Sequence, residues 1–176
     1  MPSTVFESTI PMLVNGLASL KHIVEVGEKY ATEKSLPESD ILDARLVDDM
    51  LPFHFQIHIA TDTAQKAVAR LEGTEPKPWT SNLTSFAGVY KRIADAQAIL
   101  AAAKPAAWAS RDEEPITVPM GKDRQLTMPA KDYIITYNLP NFFFHLQTAY
   151  AILRAKGLPL GKSDYLGSFM AKYEAK

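Results

Sequence analysis

Two imidazoles and a carboxylate, His54, His58 and Asp62, follow one another at intervals of four residues. On a helix this spacing sets them along one stripe, about 6 Å apart per step. Further along, the segment Asn141-Phe142-Phe143-Phe144-His145-Leu146-Gln147-Thr148 carries a histidine among aromatics. If its helix faces the first stripe, His145 joins His54, His58 and Asp62 as a ligand. Three or four nitrogen and oxygen donors plus water form a site for zinc, nickel or another divalent ion. Helical bundles hold metal sites built this way on facing helices.

The same residues support chemistry without an ion. Histidine titrates near neutral pH, so His145 or His58 suits general acid/base catalysis, with Asn141 orienting the reacting group. Asn141, His145 and Thr148 fall on one side of a helix. Their neighbours are too apolar for water, so these polar groups require partners. Phe55, Tyr137, Phe144 and Thr148 are candidates to line a substrate pocket between the two helices, suited to a small, largely apolar molecule. Tyr133, Tyr137 and Tyr150 offer hydroxyls to it. Packing is the competing reading for each residue: His54 lies between Phe53 and Phe55, Asp62 suits a solvated face, and His22 reads as a boundary residue.

Four long helices would position these groups. Residues 4–34 form the first, capped by Ser3 or Thr4 with Glu7 as capping-box partner. Ile10, Leu13, Leu17, Leu20, Ile23 and Val24 recur along it at helical spacing, with Pro11 inside the pattern. A short helical piece is expected at 38–46. The second long helix spans 49–72, with Pro52 near its start and Gly73 as its stop. The third runs 81–103 and closes at Pro105. Residues 115–129 read as a small β-hairpin kept at the surface by its prolines. The fourth covers 130–156, and Pro140 should kink it near Asn141. The tail after Gly157 reads as a loop with a short final helix. The expected fold is therefore all-α, one four-helix bundle over 1–176 with a hairpin between helices 3 and 4.

Composition narrows the function. The chain has 176 residues, 47% apolar and 22% charged, as in an ordinary single globular domain. Its 19 basic and 20 acidic residues leave a formal charge of −1. No basic field is available for nucleic acid or anionic lipid, and no window is long and apolar enough to span a membrane. The absence of cysteine removes disulfides, thiolate nucleophiles and iron–sulfur clusters. The N-terminus lacks the pattern of a secretory signal, so a cytoplasmic protein is expected. Gly161-Lys162 lacks the frame of a phosphate-binding loop, and no nucleophile elbow or dinucleotide fingerprint is present.

Several motifs together resemble a known family. Leu51-Pro52, then Gln56, Ala60 and Asp62-Thr63-Ala64, then Pro140-Asn141-Phe142-Phe143-Phe144-His145, then Thr148 to Arg154, and last Gly161-Lys162 with Asp164-Tyr165-Leu166-Gly167, look like the DUF1993 family. The resemblance covers nearly the whole chain. It implies the fold of the DinB/YfiT-like four-helix bundles. Many proteins of that wider group bind a divalent metal through three histidines, and several are thiol-dependent transferases or isomerases. The wider group carries a His-x3-His motif on its last helix, about a dozen residues before a glycine. His145 stands a dozen residues before Gly157 and matches the second histidine, while Asn141 takes the place of the first. His54 or His58 would supply the helix-2 ligand. The alternative is a non-catalytic small-molecule binder or a homodimeric structural protein, with the Leu13, Leu17 and Leu20 stripe contributing to a dimer face.

Overall fold

The computed structural model describes residues 4–121 and 123–174. Ser3 and the Thr4 side chain, and with them the expected cap, lie outside what is described. The four long helices are α1 (Thr4–Glu33), α3 (Phe53–Glu72), α4 (Phe86–Ala102) and α7 (Leu139–Ala155), with single-turn helices α2 (Ser39–Leu42), α5 (Pro105–Trp108) and α6 (Ala130–Asp132) between them. Each long helix packs against two others, so the order around the bundle is α1, α4, α3, α7. No helix among the described residues is long and apolar enough to cross a membrane.

The apolar stripe of α1 is the centre of this arrangement. Leu13, Leu17, Leu20, Ile23 and Val24 are completely buried. They belong to the core of the single chain and are not available as a dimer face. Helix α1 runs unbroken through Pro11, which sits on the solvent side. Helix α3 begins four residues later than expected because proline denies helical geometry to the residue before it. Pro52 itself is the extended N-cap residue, and Gly73 ends the helix in the left-handed region at φ 69°. Helix α4 also starts late. The Ser85 hydroxyl accepts a bond from the Gly88 N–H at 3.1 Å, a side-chain cap that sets the start.

The hairpin is present as β1 (Pro115–Pro119) and β2 (Gln125–Pro129), antiparallel, with Thr117 opposite Thr127. After it the chain does not enter one uniform helix with a proline kink. Residues Tyr133–Asn138 form a π-helical segment, and α7 follows with Pro140 in its first turn. A proline ring clashes with the carbonyl four residues back and lacks the N–H to bond it. The extra residue of a π turn shifts that carbonyl away, so the wide segment absorbs the proline just ahead of it.

The tail is more ordered than expected. Helix α8 (Lys162–Met170) packs along α1. Ser19 Oγ donates to the Tyr165 carbonyl at 2.7 Å, and His22 Nε2 lies 2.7 Å from Asp164 Oδ1. The other Asp164 oxygen accepts the Gly161 N–H at 2.7 Å and caps α8. The glycine–aspartate–tyrosine motif of the tail is thus the clamp that fastens α8 to the bundle.

Two outcomes follow. A Cβ built on Gly16 of α1 would lie 2.3 Å from Phe142 Cε1, inside the core. Gly16→Ala should therefore lower stability by about 1–3 kcal/mol in urea denaturation, because overpacking outweighs a helix-propensity gain of about 1 kcal/mol. Shrinking the clashing ring in the same chain, Phe142→Leu, should cost less than it does alone. Second, the bonds from His22 and from the Gly161 amide hold the Asp164 carboxyl below its usual range. A depressed carboxyl stabilises the fold above the unfolded value of about 3.9, and that contribution is lost as pH falls through the folded value. Asp164→Asn should be less stable at neutral pH and show a flatter acid limb; an acid limb identical to wild type would refute the clamp.

Candidate functional site

Two rows of side chains meet where α3 packs on the fourth helix. From α3 come Phe55, Ile59, Asp62, Thr63, Lys66 and Arg70; from the π segment and α7 come Tyr133, Tyr137, Asn141 and His145; Pro119 of β1 closes one side. They enclose a cleft of about 360 Å³. Tyr133, Tyr137, Asn141 and His145 are spaced by four, one row running through the π segment into α7.

Four hydrogen bonds cross this seam. His145 Nδ1 lies 2.7 Å from Gln56 Oε1, and Gln56 Nε2 donates to the Leu51 carbonyl at 2.8 Å. That second bond orients the amide, so Oε1 is the acceptor and His145 carries its proton on Nδ1. The Nε2 lone pair is then the imidazole's remaining acceptor, in a ring that lines the cleft. Asn141 Nδ2 donates to Thr63 Oγ1 at 2.9 Å, and Asn138 Nδ2 donates to the Thr63 carbonyl at 2.9 Å. Arg70 Nη1 donates to the Tyr133 hydroxyl at 2.8 Å.

His58 takes the opposite tautomer. Arg92 of α4 donates from Nη1 to His58 Nδ1 at 2.9 Å, and a guanidinium is only ever a donor. The proton of His58 therefore sits on Nε2. Arg92 is only 8% exposed, donates its other nitrogen to the Thr80 carbonyl at 2.8 Å and lies 4.6 Å over the Trp79 ring. Burial works against its charge, and the fields of Asp62 and Asp95 favour the charged guanidinium. Burial lowers the pKa of both imidazoles: that of His58, where Asp62 opposes the shift and Arg92 adds to it, and that of His145, brought down to about 4 with His58 adding to the shift.

The expected ligand set is not brought together. Among the described residues no group of three or more His, Asp or Glu side chains is placed to hold a metal ion. The reason is helical: positions four apart drift by about 40° per step, so a long row winds around the helix. His54 points toward Asp43, 3.7 Å away, on the far side of this drift. His58 Nδ1 meets a cation instead of an open coordination position. Asp62 is committed to Gln65 at 2.8 Å and to Lys66 at 2.5 Å. Among the described residues the donor set does not fit a divalent ion.

Of the expected pocket residues, Phe55 and Tyr137 line the cleft. Phe144 is 60% exposed and stacks edge-on against the His145 ring, because three successive phenylalanines cannot share one face at 100° per residue. Thr148 returns its hydroxyl to the Phe144 carbonyl at 2.7 Å and does not line the cleft. Tyr150 packs against Tyr165 on the α8 side. Gln56 entered the sequence expectations only as part of the family motif, and Lys66, Arg70 and Arg92 did not enter them at all. Lys66 and Arg70 extend the row of Asp62 by two further steps of four, which was a usable signal. Arg92 carries no such signal, since only the packing of α4 on α3 brings it to His58.

The geometry makes the two imidazoles distinguishable in solution. At neutral pH, long-range proton–nitrogen correlation spectra should show His145 with its proton on Nδ1 and His58 with its proton on Nε2. The pKa of His145 is lowered from 6.5 to about 4 on folding, so the unfolded chain binds the extra proton between those values. Stability should fall as pH drops through this window, and His145→Gln should make that fall shallower.

Comparison with known proteins agrees with this architecture. The family model described as "Domain of unknown function (DUF1993)" matches residues 5–166. Among solved structures, the crystal structure of a DinB family member protein from Shewanella denitrificans is similar at a TM-score of 0.83 and 31% sequence identity, over 92% of this chain and 91% of that one. No curated protein matches the chain. With a family model covering nearly its full length and a DinB family member sharing its bundle, the chain belongs to the DUF1993 family.

Proposed function

We propose that the chain binds a small molecule in the cleft between α3 and the π–α7 helix, and that His145 accepts a proton or a hydrogen bond from it through Nε2. The observation that carries this reading is the Gln56–His145 bond at 2.7 Å. It spends one ring nitrogen on orientation and leaves the other as a lone pair in a cleft wall. A general base needs that division of labour: one side held, one side free. The low pKa keeps the ring neutral across the physiological range, so the lone pair is always available. It also makes the ring a weak base, which fits accepting a proton from an acidic or polarised group.

The surroundings favour a ligand site over mere packing. Thr63, Asn141 and Tyr137 bring polar groups, and Asp62, Lys66 and Arg70 bring charges, to a cleft that Phe55, Ile59 and Pro119 line with apolar surface. A π-helical segment contributes two of the lining residues, and such segments concentrate at functional sites. A binder without turnover uses the same cleft, with His145 as a hydrogen-bond acceptor only.

Diethyl pyrocarbonate, which attacks neutral imidazole nitrogen, tests the reading. His145 should be modified at a rate that stays level from about pH 5.5 to about pH 8, whereas an ordinary histidine slows below its pKa of about 6.5. Fragment binders mapped by amide chemical shifts to the cleft should block that labelling. An unreactive His145, or fragments that bind only elsewhere, would rule out the site.

A further inference from the structure

We propose that the Arg70 end of the cleft is an anion subsite, which takes the carboxylate or phosphate of a ligand whose apolar body lies along Phe55, Ile59 and Tyr137. This rests on the cleft being the ligand site, and it adds the chemical class of the ligand.

The cleft wall holds two cations, Lys66 and Arg70, and one anion, Asp62. Lys66 and Asp62 neutralise each other at 2.5 Å. Arg70 has no carboxylate partner among the described residues. The nearest acid on its own helix, Glu72, accepts the Lys104 amide at 3.0 Å through Oε1. Arg92, the other cation of this region, has its nitrogens committed to His58 and the Thr80 carbonyl. Among the described residues, Arg70 is thus the one cleft cation without a carboxylate partner.

It is also held in place. Nη1 donates to the Tyr133 hydroxyl at 2.8 Å, and the guanidinium carbon lies 5.0 Å over the Tyr133 ring. Tyr133 in turn stacks on Tyr137 at 5.9 Å between centroids and receives the Asn138 amide at 3.0 Å. One N–H of the fork is spent on this anchorage, and four remain. A planar fork already immobilised loses little further entropy when it pairs two N–H groups with an oxyanion. The tyrosine anchor would add nothing to a solvated surface arginine.

Arg70 and the His145 end stand apart. Phe55 and Arg70 are separated by ~22 Å of helix rise, less the reach of the side chains. A ligand that engages both must be elongated, with its anion at one end and its proton-bearing group toward the other. Between them lie Ile59, the Asp62–Lys66 pair and Thr63 on α3, and Tyr137 and Asn141 on the facing segment.

Titration of the full-length, nitrogen-15-labelled chain with octanoate, octyl phosphate and octanamide tests this. The anionic probes should bind about ten-fold more tightly than octanamide, the difference expected of a charge-assisted pair. The Arg70 Nε–H resonance should move with the anions and stay put with the amide. The stronger of the two anions identifies the head group as carboxylate or phosphate. Arg70→Gln should bring all three probes to similar affinity, Arg70→Lys should keep part of the preference, and His145→Gln should keep all of it. Equal binding of the three probes to the wild-type cleft overturns the subsite and leaves the ligand cleft standing. A preference that survives in folded Arg70→Gln also overturns it. Probes that bind away from the cleft and leave His145 labelling unprotected overturn both readings.

Discussion

The seam between α3 and the fourth helix must satisfy polar groups that two packed helices would otherwise leave stranded. Gln56 to His145, Thr63 to Asn141, the Thr63 carbonyl to Asn138, and Arg70 to Tyr133 do this at regular intervals. Each bond joins residues far apart in sequence and needs one register between the helices. A shift by one residue would strand several buried donors and acceptors at once, each costing on the order of 1–3 kcal/mol. The π segment belongs to this constraint. It places Tyr133 and Asn138 on the same seam as Asn141 and His145 despite Pro140 between them. The cleft is what remains where the seam parts, and its lining is polar because the seam is polar.

Behind the cleft lies a second electrostatic choice. A buried arginine is expensive unless it is paired and hydrogen-bonded. Arg92 meets this through the Thr80 carbonyl, the face of Trp79, the lone pair of His58 and the field of Asp62. The Thr80–Trp79 loop is in turn tied to α3 by Gln65, which bonds the Lys77 backbone at both its amide atoms. The result holds His58 neutral and in one tautomer beside His145. Two imidazoles that cannot both be charged at moderate pH keep the inner end of the cleft uncharged, while its Arg70 end stays cationic.

Much of the architecture could be read directly from residue patterns. The heptad-like leucines of α1, the turn chemistry of the hairpin and the glycine stop of α3 act over a few residues each, so local rules reach them. The same rules misplaced the starts of α3 and α4, where the restriction imposed by Pro52 on Leu51 and the Ser85 cap decide. They also gave a plain kink for Pro140 in place of a π segment, because the way a helix absorbs a proline depends on what its neighbours require. The site was half legible. Asn141 and His145, set on one helix side by their spacing, line one cleft with Phe55 and Tyr137, two of the expected pocket aromatics. The His54, His58 and Asp62 row fails as a ligand set because steps of four wind around the helix, and spacing says nothing of what each member then faces.

By itself the sequence determined an all-α bundle with one hairpin, a face of α3 and a face of the fourth helix rich in polar and aromatic groups, and a chain with no cysteine thiolate of its own. These follow from helix period, turn residues and composition, which are properties of short segments. Tertiary structure alone decided that His58 meets a guanidinium, that His145 meets an amide, that His22 and Asp164 clasp α8, and that Arg70 has no acid beside it among the described residues. Each depends on which helix lies opposite. That choice is made by burying the whole apolar surface of the chain at once, and no window of sequence contains it.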